Sequence, residues 1–132
     1  MNKVLQATYE DIKTNEVKYE SIFCDDAELI VVAYGTTSRI CRQAVKELRN
    51  KNLKLGMIRP ITLWPFPEKI INECAKKTKK FLVVEMSAGQ MVEDVRLSVD
   101  GQAKVYFYGR MGGEIPTTDE IKKEIRRHCE EQ

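Results

Sequence analysis

Two periodicities alternate along this chain. Glu28-Leu-Ile-Val-Val-Ala-Tyr34 and Phe81-Leu-Val-Val-Glu-Met86 are apolar at nearly every position, as strands buried on both faces are. Leu53, Leu55, Met57 and Ile58 read as another strand, and Lys104-Val-Tyr-Phe-Tyr108 as a fourth. Between and after them the apolar residues take helical spacing: Ile40, Cys41, Ala44, Val45 and Leu48; Ile70, Ile71, Cys74 and Ala75; Met91, Val92, Val95 and Val99; Ile121, Ile125 and Cys129. Val17 to Phe23 alternates apolar with polar, which predicts a half-exposed edge strand. Before it, Val4, Leu5, Tyr9 and Ile12 space a short amphipathic helix, suited to packing on a neighbouring domain. The expected division is a lead-in helix or linker over 1–16 and an α/β domain over 17–132.

The punctuation agrees with these elements. Pro60 has no N–H for a sheet ladder and stops the third strand just after Arg59. Pro67 suits the first position of a helix, and the hydroxyls of Thr36 to Ser38 offer N-caps. Thr117 and Glu120, after Pro116, have the spacing of a capping box. Four strands, each followed by a helix, specify parallel βα units with helices on both faces of a doubly wound sheet. Such sheets bind at the carboxyl ends of their strands. That rim would carry Gly35-Thr36-Thr37-Ser38, Arg59, Ser87-Ala88-Gly89-Gln90 and Arg110-Met111-Gly112-Gly113.

At 132 residues with 42% hydrophobic content, the chain has enough material for one self-sufficient core. Its 22 basic and 20 acidic residues are well mixed, which argues against nucleic acid as a partner. The basic run Lys76-Lys77-Thr78-Lys79-Lys80 reads as a solvated helix end. Cys24, Cys41, Cys74 and Cys129 form no CxxC pair and have one histidine, His128, for company, so no metal site is expected. This cysteine usage suits a reducing cytoplasm, and no apolar run approaches a membrane span.

Candidate chemistry at the rim is of two kinds. Helix starts at Gly35, Thr36, Thr37 and Ser38, and at Ser87, Gly89 and Gln90, could hold a phosphate or carboxylate. Yet there is no GxGxxG and no GxxxxGK[ST], so a plain capped turn is the favoured account of Gly35 and the anion site the weaker one. The second kind is an interaction surface built from Arg59, Trp64, Phe66, Arg110, Met111, Gly112 and Gly113, since aromatics and arginine in loops are what interface centres use. The competing account of Trp64 is that it folds back on its own core. Glu85, ending a buried strand, suits a structural ion pair with Arg59 or Arg110. His128 is expected near the exposed C-terminus, neither Cys24 nor Ser87 has a histidine near it in sequence, and no catalytic residue is expected.

Val31-Val-Ala-Tyr-Gly-Thr36, Arg59-Pro-Ile-Thr-Leu-Trp-Pro-Phe-Pro67, Val83-Val-Glu-Met-Ser-Ala-Gly-Gln-Met91 and Tyr108-Gly-Arg-Met-Gly-Gly113 resemble the α-subunit of 2-oxoacid:ferredoxin oxidoreductases. The likeness is greatest to the 2-oxoisovalerate (branched-chain) type, with 2-oxoglutarate enzymes next. It covers the chain from about Glu16 onward. The resemblance implies a transketolase C-terminal-like domain: a three-layer, five-stranded mixed sheet in order 1-3-2-4-5, its first strand (Val17–Phe23) antiparallel. It also implies thiamine diphosphate, magnesium and [4Fe-4S] clusters in the assembled enzyme but no cofactor in this segment. Its partners would be the other domains or subunits of a hetero-oligomer and, through the complex, ferredoxin. The implied role is subunit assembly; the alternative is a CoA- or phosphate-binding module using the Gly35 and Gly89 loops.

Overall fold

The computed structural model describes residues 19–61, 67–85, 90–109 and 116–130. The expected lead-in helix, and with it the 1–16 boundary, lies outside them. The strands are β1 (Tyr19–Ile22), β2 (Leu29–Ala33), β3 (Leu55–Pro60), β4 (Lys80–Glu85) and β5 (Lys104–Gly109). The helices are α1 (Thr36–Arg49), α2 (Glu68–Ala75), α3 (Gln90–Val99) and α4 (Thr118–Glu130). The five strands form one sheet in the order β1-β3-β2-β4-β5. β1 runs antiparallel to β3, and the other pairs are parallel.

The strands with continuous apolar runs, β2 and β4, occupy the interior of the sheet, where both faces are covered. Ile30, Val32, Ile58, Phe81 and Val83 point to one face and pack with Ile71 and Cys74 of α2 and Met91, Val92, Val95 and Val99 of α3. Leu29, Val31, Ala33, Met57, Leu82 and Val84 point to the other and pack with Cys41, Ala44, Val45 and Leu48 of α1 and Ile121 and Ile125 of α4. The period of two along each strand therefore divides the core into two layers. Each layer is sealed by the helical stripes read from the sequence.

Several local expectations are met and four are corrected. Thr117 and Glu120 form the reciprocal capping box: the Thr117 N–H donates to Glu120 Oε1 at 2.8 Å, and the Glu120 N–H to Thr117 Oγ1 at 3.1 Å. At α1 the cap residue is Gly35, with no side-chain cap. Thr37 Oγ1 donates instead to the Tyr34 carbonyl at 2.8 Å, and Ser38 Oγ to that of Gly35 at 2.6 Å. Both side chains are buried beneath the turn, so their protons seek the nearest carbonyls. Pro67 precedes the first residue of α2 and does not occupy it. His128 is not at an exposed end: it lies one turn beyond Ile125 on the inward face of α4, 5% exposed, with its ring stacked on Tyr106 at 4.0 Å between centroids. Lys80, counted with the solvated lysines, donates to the His128 carbonyl at 2.6 Å and ties the start of β4 to the end of α4.

Candidate functional site

Because β2, β3 and β4 are parallel, their last residues and the helices that follow share one rim. β1, running the other way, starts at that rim, with Tyr19 opposite Pro60. Arg59 and Glu20 are register partners across this antiparallel pair. Arg59 Nε lies 3.3 Å from Glu20 Oε1, and Arg42 Nη2 of α1 donates to the same oxygen at 2.8 Å. One carboxylate thus holds two guanidinium groups on the α1 face of the sheet. The Arg59 side chain remains 35% exposed at the edge, so this pair orients the charge more than it stabilises the fold.

Glu85 ends β4 on the opposite face. Phe81 and Val83, two and four residues before it, face α2 and α3, and Glu85 follows them inward with 1% exposure. Its Oε1 accepts the Met91 N–H and its Oε2 the Val92 N–H, each at 3.0 Å. The carboxylate fills the role of an N-cap for α3 from outside the helix and meets the positive end of its dipole. Arg59, one of the two partners expected for it, lies across β2 on the other face and pairs with Glu20. Arg110, the other, lies outside the described residues.

Gly35 links β2 to α1 with φ +68° and ψ −144°, a region open in practice to glycine alone. Thr37 and Ser38 are each 2% exposed, with their hydroxyl protons committed to carbonyls. The Gly35 turn therefore presents no hydroxyl from either residue to a phosphate. Only the backbone of Thr36 and Gln90 is described. Ser87, Gly89, Trp64, Phe66, Met111, Gly112 and Gly113 lie outside the described residues. Among the residues anticipated at the rim, the structure brings together Gly35, Arg59 and Glu85 at three neighbouring strand ends. Glu20 and Arg42 were not anticipated: their pairing depends on β1 lying antiparallel beside β3, and nothing local to either residue signals it.

His128 supplies no base here. Its carbonyl is bonded by Lys80 at the start of β4, which places it at the opposite edge of the sheet. Nor do the cysteines fit an iron–sulfur cluster: Cys24 and Cys74 belong to the layer under α2 and α3, Cys41 and Cys129 to the layer under α1 and α4. Thiolates separated by a sheet cannot converge on one cluster. Among the described residues no group of three or more His, Cys, Asp or Glu is placed to hold a metal. None of the described helices is long and apolar enough to cross a membrane.

The family model described as "Pyruvate:ferredoxin oxidoreductase core domain II" matches residues 27–121, from the start of β2 into α4. The chain belongs to this family. The chain also matches part of longer relatives. The chain is 44% identical over 125 residues to ketoisovalerate oxidoreductase subunit VorB of Methanothermobacter thermautotrophicus, covering 95% of this chain and 35% of that one. It is 44% identical over 101 residues to 2-oxoglutarate synthase subunit KorA of Methanothermobacter marburgensis, covering 76% and 27%. The chain thus spans about a third or less of the length of these curated relatives. The same fold occurs in 2-oxoglutarate:ferredoxin oxidoreductase from Magnetococcus marinus, solved with 2-oxoglutarate, coenzyme A and succinyl-CoA bound. There the TM-score is 0.77 at 23% identity, over 86% of this chain and 20% of that one. A split-gene transketolase, solved as an inactive β4 tetramer, matches with a TM-score of 0.68 at 15% identity, over 83% and 40%.

Proposed function

We propose that this chain works as the core domain II part of a multisubunit 2-oxoacid:ferredoxin oxidoreductase, contributing to subunit assembly and inactive by itself. The observation that carries the reading is the 44% identity to a ketoisovalerate oxidoreductase subunit across 95% of this chain, matched to only 35% of that subunit. A segment that corresponds to part of a subunit depends on the remainder for chemistry. The reaction of the assembled enzyme would be oxidative decarboxylation of a 2-oxo acid to an acyl-CoA. Thiamine diphosphate with magnesium, and [4Fe-4S] clusters passing electrons to ferredoxin, would be held by other domains or subunits. A branched-chain 2-oxo acid is the favoured substrate, following that relative's name. The cytoplasm is the favoured location, since all four cysteines are free.

The chain's own residues would serve the assembly through the rim. Arg59, oriented by Glu20 and still partly exposed, suits a charge-assisted contact with a neighbouring subunit. The sequence reading adds Trp64, Phe66, Arg110, Met111, Gly112 and Gly113 to that surface. The test is co-expression with candidate thiamine-binding and cluster-bearing subunits. The chain should co-purify with them, and only the complex should reduce ferredoxin on addition of 2-oxoisovalerate. Trp64→Ala and Arg59→Met should lower recovery of the complex while leaving the unfolding midpoint of the chain within experimental scatter. Turnover of a 2-oxo acid by the chain alone would overturn the reading.

A further inference from the structure

Cys24 and Cys74 share one core layer, Cys24 packed against the cluster that holds Cys74, and several contacts fix both. Cys24 sits in the turn between β1 and β2, and Cys74 in the last turn of α2. Phe23, just before the turn, has φ +56°, a left-handed conformation rare for a bulky residue. Its ring stacks under the Arg49 guanidinium at 4.7 Å, and Arg49 also pairs with Asp26 at 3.0 Å and donates to the Leu55 carbonyl at 2.6 Å. The turn backbone then rests on β3. A Cβ added at Gly56 would lie 3.0 Å from both Cys24 Cα and the Phe23 carbonyl oxygen. From the helix side, Thr78 Oγ1 donates to the Ala27 carbonyl at 2.9 Å, while the Thr78 N–H donates to the Cys74 carbonyl at 2.7 Å. Thr78 is thus a bracket between the Cys24 turn and the end of α2.

The Cys24 sulfur lies 3.5 Å from the carbonyl oxygens of Ile22 and Met57, and the Cys74 thiol is its other polar neighbour. Hydrogen bonding from Cys24 holds the Cys74 thiol below its ordinary pKa, and the same bond, together with burial, pushes Cys24 up. Cys41, on the other face of the sheet, is pushed by burial to about 12 and has no such neighbour. Cys74 is 6% exposed and Cys24 half-buried, so Cys24 is the more open member of the pair.

We propose that Cys24 and Cys74 are an oxidisable dithiol, a modification site at which a peroxide closes an intramolecular disulfide between the β1–β2 turn and α2. The chemistry balances with hydrogen peroxide as the two-electron oxidant. The Cys74 thiolate attacks one peroxide oxygen, the O–O bond breaks, and the departing hydroxide takes up the thiol proton as water. The Cys24 sulfur then attacks the sulfenic sulfur, and the second oxygen leaves as water with the remaining protons. Two thiols and one peroxide give one disulfide and two waters. The product clamps the turn after the edge strand to the helix above it.

The test uses the full chain, reduced, freed of reductant and exposed to hydrogen peroxide, then unfolded and labelled with a maleimide. The wild type should lose two of its four labelling sites and two hydrogens of mass, and a proteolytic map should join the Cys24 and Cys74 peptides. Cys24→Ser and Cys74→Ser should abolish that bridge. The double variant Cys41→Ser/Cys129→Ser leaves the pair untouched, so it reads the proposal even if a single variant folds poorly. It should lose both labels and recover them with dithiothreitol. Retention of both labels in that double variant, oxidation without a cross-link, or a bridge mapped to other cysteines or between chains would overturn the proposal.

Discussion

Glu85 Oε1 accepts the backbone N–H of Met91 at 3.0 Å, so a strand side chain satisfies the start of the helix that follows it. Oε2 does the same for Val92. A carboxylate that is 1% exposed could persist only with such charge-assisted partners. The contact welds β4 to α3 across the loop between them and sets where α3 begins.

Glu85→Gln keeps one acceptor oxygen but turns an amide NH2 toward a backbone N–H. It should destabilise the chain by about 1–3 kcal/mol, the cost of leaving a buried donor unsatisfied. Glu85→Ala, which removes both acceptors, should cost more. Urea unfolding checks both, with an unchanged slope and a lower midpoint as the expected result.

Gly56 is needed for room. In Gly56→Ala the new methyl group meets Cys24 Cα and the Phe23 carbonyl oxygen at 3.0 Å and Ala27 Cβ at 3.1 Å. Two of these neighbours are backbone, so relief requires the whole turn to move. The expected loss is about 1–3 kcal/mol, as for overpacking elsewhere, read as a lowered thermal midpoint.

Gly35 is needed for conformation and not for room, because an added Cβ would meet nothing within 4 Å. Gly35→Ala should still cost about 1–3 kcal/mol, from forcing an L-residue to positive φ. Calorimetry of this variant beside Gly56→Ala separates strain from crowding. Gly35→Asn should cost about as much as Gly35→Ala, because ψ −144° lies outside the left-handed helical region that asparagine tolerates.

The α1–α4 contact should make stability depend on pH. Lys122 Nζ lies 2.8 Å from Glu47 Oε1, and this bond holds the Glu47 carboxyl below its ordinary 4.5 and lifts Lys122 above its ordinary 10.5. A depressed carboxyl stabilises the fold above its unfolded pKa, and the benefit fades as pH falls through the folded value. A raised ammonium stabilises below its unfolded pKa, and the benefit fades as pH rises through the folded value. Lys122→Met should therefore be less stable than wild type by a constant small amount from about pH 6 to 9. The gap should close below pH 4 and above pH 11, and shrink with added salt.

Repetitive local features of the fold were legible in the amino-acid pattern. The Thr117–Glu120 box, the α3 stripe of Met91, Val92, Val95 and Val99, and the uninterrupted apolar run of β2 each follow from contacts within a few residues or from uniform burial. His128 was misplaced because polarity was weighed above spacing, although it continues the register of Ile121 and Ile125. The hydroxyls of Thr37 and Ser38 were misjudged because capping residues are recognised by type, while the direction of a proton depends on which carbonyl lies nearest.

Sequence alone determined which segments become strand or helix, which apolar residues face inward, and the resemblance that names the family, since these rest on local periodicity and identity. Tertiary structure decided that Glu20 gathers Arg42 and Arg59, that Glu85 caps α3, and that Cys24 packs against the core layer that holds Cys74. Each joins residues from separate elements, and the partner is chosen by strand order and by which face of the sheet a side chain takes. That information exists only after the chain has closed its long-range pairings.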